Sequence, residues 1–321
     1  MRRVFVTGGS GFVGRALLAE LRARGIATVA LARSDAAAAT CAALGAEIAR
    51  GDLDDRARLQ AQMAGCDTVI HAAAHVKEWD RLAEFHRINV LGTENVLAAA
   101  AAAGATRLVH ISTEAVLCGG QPVRMVDETC PYAQKPLSMY AASKAEAERR
   151  VLAALGLDPV VVRPRLVWGR GDTSVLPQLA AAVRAGRFRW IGDGRQRTST
   201  CHVRNVAHGA LLAAERGRPR EIYFLTDGPP VELRWFLREL LATQGLDPGD
   251  RRVPLALARA AASACEALWR LLGRTDPPPV SRGAIAAFGT EVTVDDSKAR
   301  RDLGYTSPVS LAEGLAEMRA A

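Results

Sequence analysis

Aromatic residues are scarce in this chain: Phe, Trp and Tyr together make up 5% of its 321 residues. Lysine is scarcer still, since of 42 basic residues only Lys77, Lys135, Lys144 and Lys298 are lysines. With few rings to stack on bases, and with arginines scattered rather than clustered behind a net charge of +8, no nucleic-acid partner is expected. The six cysteines (41, 66, 118, 130, 201 and 265) form no CxxC and no metal-like spacing, which excludes a disulfide framework and a thiolate metal site. His71 and His75 are four apart but fall on a strand end and its loop, so no metal is expected there either. After Met1-Arg2-Arg3 only Val4 to Val6 are apolar before glycine, too few for a secretory leader. A cytoplasmic location is the expectation.

Glycine is not scarce, and where it clusters the chain is most informative. Val4 to Gly14 reads VFVTGGSGFVG: three β-formers, a glycine turn, then an apolar-periodic helix with Phe12, Val13, Ala16, Leu17 and Leu21 on one face. Gly9-Ser-Gly-Phe-Val-Gly14 is GxGxxG, and Gly8, Gly11 and Gly14 give the overlapping GxxGxxG. Glycine serves such a turn by permitting positive φ, by letting backbone approach a pyrophosphate, and by letting helix pack on strand. The helix N-terminus then holds the phosphates. With strand and helix both in place, the motif predicts a dinucleotide site.

Further strands are expected at Ile26–Leu31, just after Glu47, at Asp67–Ile70, Arg107–Ile111 and Pro159–Arg163, with helices between them. The second strand ends in Ala32-Arg33-Ser34, with Asp35 late for the acid that would take a ribose 2′-hydroxyl. A guanidinium and a hydroxyl suit a 2′-phosphate, which favours NADP(H), with NAD(H) as the alternative. A long helix is predicted over Trp79–Ala103 and another over Tyr140–Leu155. The fold class is therefore α/β: a Rossmann-type, doubly wound parallel sheet over residues 1–165, with a smaller α/β substrate-binding part, interwoven with the first, over 166–321.

Tyr140-Ala-Ala-Ser-Lys144 opens the second of those helices, and its Tyr and Lys share one helical face. A phenol near pKa 10 needs roughly 4 kcal/mol of phenolate stabilisation to work near neutrality, which an adjacent ammonium can help supply. Lysine where arginine is otherwise the habit points to a chemical requirement.

These motifs together resemble the extended short-chain dehydrogenases/reductases: TGGSGFVG (7–14), Gly51-Asp52-Leu53, His71-Ala72-Ala73, Asn89-Val-Leu-Gly-Thr93, Tyr140…Lys144 and Arg163-Pro164. The C-terminal half is most similar to the 3β-hydroxysteroid dehydrogenase/isomerase-like branch, through RPRLVWGRGD (163–172), IGDGR (191–195), HVRNVAHG (202–209), YFLTDG (223–228) and SKARRDLGY (297–305). The resemblance implies that Gly8, Gly11 and Gly14 cradle the pyrophosphate, with Phe12 and Val13 beside them. Asp52 meets the adenine, and Leu53, Ala72, Ala73 and Arg163 join Arg33 and Ser34 among the cofactor contacts. Tyr140 is the implied general acid/base, and Lys144 holds the ribose and lowers the tyrosine's pKa. The register of the usual catalytic Ser/Thr falls on Glu114, with Thr113 just before it, so either residue is a candidate to face the substrate carbonyl.

The expected reaction is hydride transfer between NADP(H) and the hydroxyl or ketone of a hydrophobic, sterol-like or alkyl substrate. A nucleotide-sugar epimerase/dehydratase is the first alternative. It is weakened because Thr198 stands where such enzymes resemble GDGxQxR, and a non-catalytic NAD(P)-binding regulator is the second. The two long helices are expected to pair in a homodimer, as in the family. Residues 253–272 have the length of a membrane span, but Arg259, Glu266 and Arg270 interrupt them. A helix capping the substrate cavity is expected there, with peripheral membrane contact as the alternative.

Overall fold

In the computed structural model, which describes residues 1–77 and 79–320, seven parallel strands form the central sheet. Five come first in the chain: β1 (Arg3–Thr7), β2 (Ala27–Ala32), β3 (Glu47–Arg50), β4 (Thr68–His71) and β5 (Arg107–Ile111). After β6 (Val123–Val126), which lies in a small second sheet, β7 (Asp158–Pro164) returns to the main one. The order is β3-β2-β1-β4-β5-β7 and then Ile222–Leu225, and the direction of winding reverses between β1 and β4. The carboxyl ends at such a reversal are where ligands bind in sheets of this kind.

Alternate residues of β1 feed two cores. Val4 and Val6 pack on one face with Leu17, Leu18 and Leu21 of α1 (Phe12–Ala23) and with the helix Val203–Arg216. Phe5 packs on the other with Leu59 of α3 (Arg56–Gln62, after α2 at Asp35–Ala43) and with the helices that follow β4 and β6. Both faces of the sheet are covered, which is why its strands read as continuous apolar runs.

Three departures from the sequence expectations have physical causes. The helix expected from Trp79 begins at Leu82, as α4 (Leu82–Phe85), widens to a π-turn at His86–Leu91, and continues as α5 (Gly92–Ala102). Trp79 is held outside it because its buried indole donates to the Arg274 carbonyl. The second long helix, α6, runs Met139–Leu152, its first turn capped by the Ser138 hydroxyl. The strand Ile222–Leu225, in the half expected to bind substrate, pairs with β7 along its whole length. A four-residue apolar run carries no record of which sheet receives it.

The remaining elements build the smaller part. A core of Leu166, Trp168, Leu176, Trp190, Phe236 and Leu240 sits under the helices Val175–Arg184 and Leu233–Ala242. Beyond it, the helix Leu255–Leu271 packs on Arg282–Gly289 through Ala258, Ala262 and Ile285. No helix of the described residues is long and apolar enough to cross a membrane.

Candidate active site

Between Thr7 and Phe12 the chain must turn from strand to helix in four residues. Gly8 does so at φ +72°, a conformation strained for any L side chain. A Cβ on Gly8 would lie 2.6 Å from the Ala73 nitrogen, and one on Gly14 would lie 2.0 Å from the Gly8 carbonyl oxygen. Ala72 and Ala73, at the end of β4, therefore seat directly beneath the turn. Gly11 caps α1 without a side chain, so no side chain occupies the first-turn amides of Phe12, Val13 and Gly14. An open helix N-terminus over a glycine floor fits a pyrophosphate. Arg15 ties this turn to the smaller part, donating to the carbonyls of Ser10 at 3.3 Å and Gly171 at 2.7 Å.

At the end of β2 the Arg33 side chain is 70% exposed, with its guanidinium 3.5 Å from Asp52. Ser34 caps α2 by accepting from the Ala37 amide. Asp52 accepts from the Leu53 amide at 2.7 Å, while Leu53 itself is buried against Gly92. Cationic, exposed and at the strand end, Arg33 fits a ribose phosphate.

The chemistry-bearing groups gather where β5 meets α6. Lys144 is buried, and its ammonium donates to the Ile111 carbonyl at 2.7 Å and to His110 Nε2 at 2.9 Å. Two of its three N–H donors are thus engaged and one is left over. Burial lowers the Lys144 pKa to about 7, and the Glu148 carboxylate one helical turn on opposes that fall. His110, lowered by burial and by Lys144, stays neutral, and its Nδ1 has no hydrogen-bond partner among the described residues. His71 stacks on it at 5.3 Å. Burial, and then Lys144, hold His71 down to about 3. Thr93 spends its proton on the Asn89 carbonyl at 2.6 Å, so His71 Nε2–H donates to Thr93 while Nδ1 accepts from Thr7. His71 is a satisfied buried imidazole, and His75 turns away to Asp80 at 3.1 Å.

Thr113 follows β5 as the cap of a short 3₁₀ turn, Glu114–Leu117. Its hydroxyl donates to Glu114 at 2.9 Å, accepts from the Ala115 amide at 3.2 Å, and meets the Tyr140 phenol. Burial pushes Tyr140 well above its ordinary range, the Glu114 carboxylate pushes the same way, and the Thr113 contact opposes them. Glu114 is itself buried and ion-paired to Arg165 at 2.6 Å. Arg165 also donates to Thr198 at 3.3 Å and to the Ala287 carbonyl at 2.7 Å, reaching from the sheet to the helix Arg282–Gly289.

Arg163, expected beside the cofactor, lies at the interface of β7 and α6. It is 1% exposed and its Nε and Nη2 are both committed to Glu148, which also accepts from Ser112 at 2.5 Å and Tyr132 at 2.8 Å. Its Nη1 is buried with no hydrogen-bond partner among the described residues. His110, Glu148, Arg165 and Arg15 escaped the sequence reading. Glu148 stands four residues after Lys144 and Arg165 two after Arg163, which is the signal each left in the sequence.

The sequence model of the NAD dependent epimerase/dehydratase family matches residues 4–225. A "4-hydroxy-2-methyl-3-oxo-4-farnesyl-3,4-dihydroquinoline-1-oxide ketoreductase" of Stigmatella aurantiaca is 53% identical, over 99% of this chain and 96% of its own length. A "3 beta-hydroxysteroid dehydrogenase/Delta 5-->4-isomerase" of Mycobacterium tuberculosis is 31% identical, over 98% of this chain and 89% of its own. Among solved structures, a dTDP-glucose 4,6-dehydratase of Streptomyces venezuelae with NAD bound superposes with a TM-score of 0.76 at 26% identity, covering 100% of this chain and 96% of that one. With the glycine cradle, the Tyr140/Lys144 helix and these matches running nearly end to end, the chain belongs to the NAD dependent epimerase/dehydratase family of extended short-chain dehydrogenases/reductases.

Proposed function

We propose that this oxidoreductase reduces the ketone of a hydrophobic small molecule, alkyl, isoprenoid or sterol-like, to the alcohol, with NADP(H) preferred over NAD(H). One observation carries the reading: Tyr140 and Lys144 stand one turn apart on α6, with the buried Lys144 ammonium fixed to the end of β5 through the Ile111 carbonyl. The names of the two relatives, a ketoreductase and a hydroxysteroid dehydrogenase, support the substrate class.

Gly8, Gly11 and Gly14, with the amides of Phe12 and Val13, would hold the pyrophosphate, and Arg33 with Ser34 the ribose phosphate. The bound nicotinamide supplies the hydride. The protein's own part is the proton. Tyr140 passes it to the substrate oxygen, and a phenol held far above neutral pH stays protonated until that oxygen becomes basic. Thr113, whose own proton goes to Glu114, would orient the phenol by accepting from it. Glu114, with its oxygens given to Arg165 and Thr113, serves as the holder of Thr113 rather than as a group facing the substrate. Lys144 would hold the ribose with its remaining donor, and its charge would favour the phenolate after transfer.

The partners that go with this reading are the substrate, a second copy of the chain packed through α5 and α6, and a membrane met peripherally through 253–272. The test is NADPH oxidation by purified protein over a panel of 3-ketosteroids, long-chain β-keto compounds and UDP-sugars, with Tyr140→Phe alongside. The expected result is turnover of an apolar ketone, lowered about 10²–10⁴-fold in the variant, in keeping with loss of a general acid. Conversion of a UDP-sugar with no net cofactor change, and no ketone turnover, overturns it.

A further inference from the structure

The helix Leu255–Leu271 has two unlike sides. Ala258, Ala262 and Glu266 are buried against the rest of the protein. At 100° per residue, Leu257, Ala260, Ala261, Ala264, Ala267, Leu268 and Leu271 fall in one sector, and Leu272 continues it. All eight are exposed, and none carries a charge or a hydrogen-bonding group. Four of the ten exposed large apolar side chains among the described residues lie here: Leu257 at 59%, Leu268 at 48%, Leu271 at 83% and Leu272 at 58%. The stripe is about 25 Å long at 1.5 Å per residue.

The charge around the stripe is one-sided. Residues 251–282 hold six arginines against Glu266 and Asp276, a net +4 out of the chain's +8 in a tenth of its length. The helix's one acid, Glu266, is turned inward and neutralised by Arg270 at 3.1 Å and Arg282 at 2.8 Å. Arg251 and Arg252, at the opposite end, are exposed with no carboxylate partner among the described residues. The far end is braced by rings, with Arg274 over Trp269 and Arg270 over Trp79.

We propose that this helix lies in the plane of an anionic bilayer surface, with its Leu/Ala stripe at the boundary of headgroups and acyl chains and Arg251 and Arg252 among the phosphates. A second copy of the chain is a poor occupant, because a face-to-face contact would set +4 against +4. An anionic lipid surface complements both the apolar stripe and the charge. The inference rests on the peripheral contact proposed above and is independent of the hydride chemistry. It places the enzyme where a substrate dissolved in acyl chains resides.

The test is vesicle flotation of the full chain with phosphatidylcholine, alone or with a quarter phosphatidylglycerol, at low and high salt, and with light scattering of the free protein. Wild-type protein is expected to float with the anionic vesicles about tenfold more than with the neutral ones, less so at high salt. The triple change Leu257→Gln, Leu268→Gln, Leu271→Gln is expected to abolish flotation. Arg251→Gln with Arg252→Gln is expected to lower it about tenfold. Both variants should keep wild-type turnover of a water-soluble β-keto ester, which separates lost docking from a lost fold and from failure of the reductase reading. Equal flotation on both vesicles, a triple variant that floats like wild type, or a triple variant that halves the particle mass each overturns the proposal, the last by making the stripe a contact between copies.

Discussion

Two buried glutamate–arginine pairs stand at the carboxyl end of the central sheet, and they differ in where their remaining bonds go. Glu148 receives Arg163, Ser112 and Tyr132, so every bond of that carboxylate ends inside the protein. Glu114 receives Arg165 on one oxygen and Thr113 on the other, and Thr113 leads on to Tyr140. The first network turns inward, and the second leads to Tyr140, the proposed proton donor. A buried ion pair is weak evidence for stability, since burying the charges costs about what their attraction returns. What such a pair does well is fix geometry, and what matters is which groups it fixes: α6 against the strand end in one case, the Thr113 hydroxyl in the other.

The comparison predicts different losses from the same chemical change. Glu148→Gln leaves the Arg163 charge sealed without its counterion, and the expected loss of folding stability is about 3–5 kcal/mol, read by urea unfolding. An unchanged midpoint would mean that Arg163 finds water or another acceptor. Glu114→Gln also strips a counterion, but Arg165 keeps Thr198 and Ala287, so the stability loss should be smaller. Here the distinguishing effect is on the reaction: an expected fall of about tenfold in kcat, with a moved pH profile. The sign follows from the Glu114 charge, which raises the Tyr140 pKa. Removing that charge lowers the pKa. Ketone reduction needs the phenol protonated, so its alkaline limb should shift to lower pH in Glu114→Gln. A profile identical to wild type would turn the second network inward as well and reduce Glu114 to packing.

The inward network also explains why part of the site could not be read from the chain. The glycine turn, the Tyr140/Lys144 spacing and the first five strands announce themselves through local chemistry: positive φ, i,i+4 geometry and apolar runs. Arg163 belongs to a family motif, but nothing in that motif names its partner Glu148, which lies across the strand–helix interface on α6. His110 is equally opaque. It is one more residue of an apolar strand until the packing of α6 brings Lys144 to its Nε2. Nor does the chain show that Arg165, a residue the motif passes over, pairs with one oxygen of Glu114. What is local was legible; what depends on a partner from another element was not.

The smallest expected effect sharpens the contrast between buried and exposed arginines. Arg33 lies at the end of β2, largely exposed, with the 3.5 Å contact to Asp52 to hold it. Exposed pairs of that kind are worth under about 1 kcal/mol, so Arg33→Ala should leave the unfolding midpoint nearly where it was. Its cost should fall on one cofactor. If the guanidinium takes the 2′-phosphate, the KM for NADPH rises about tenfold in Arg33→Ala while the KM for NADH barely moves, and kcat holds with either. The same change also frees Asp52 from its partner, leaving a carboxylate at the ribose end that disfavours a phosphate. Arg33→Ala with Asp52→Asn separates the two effects. If the double variant recovers NADPH binding, Arg33 acts only by masking Asp52. If it does not, the arginine binds the phosphate itself.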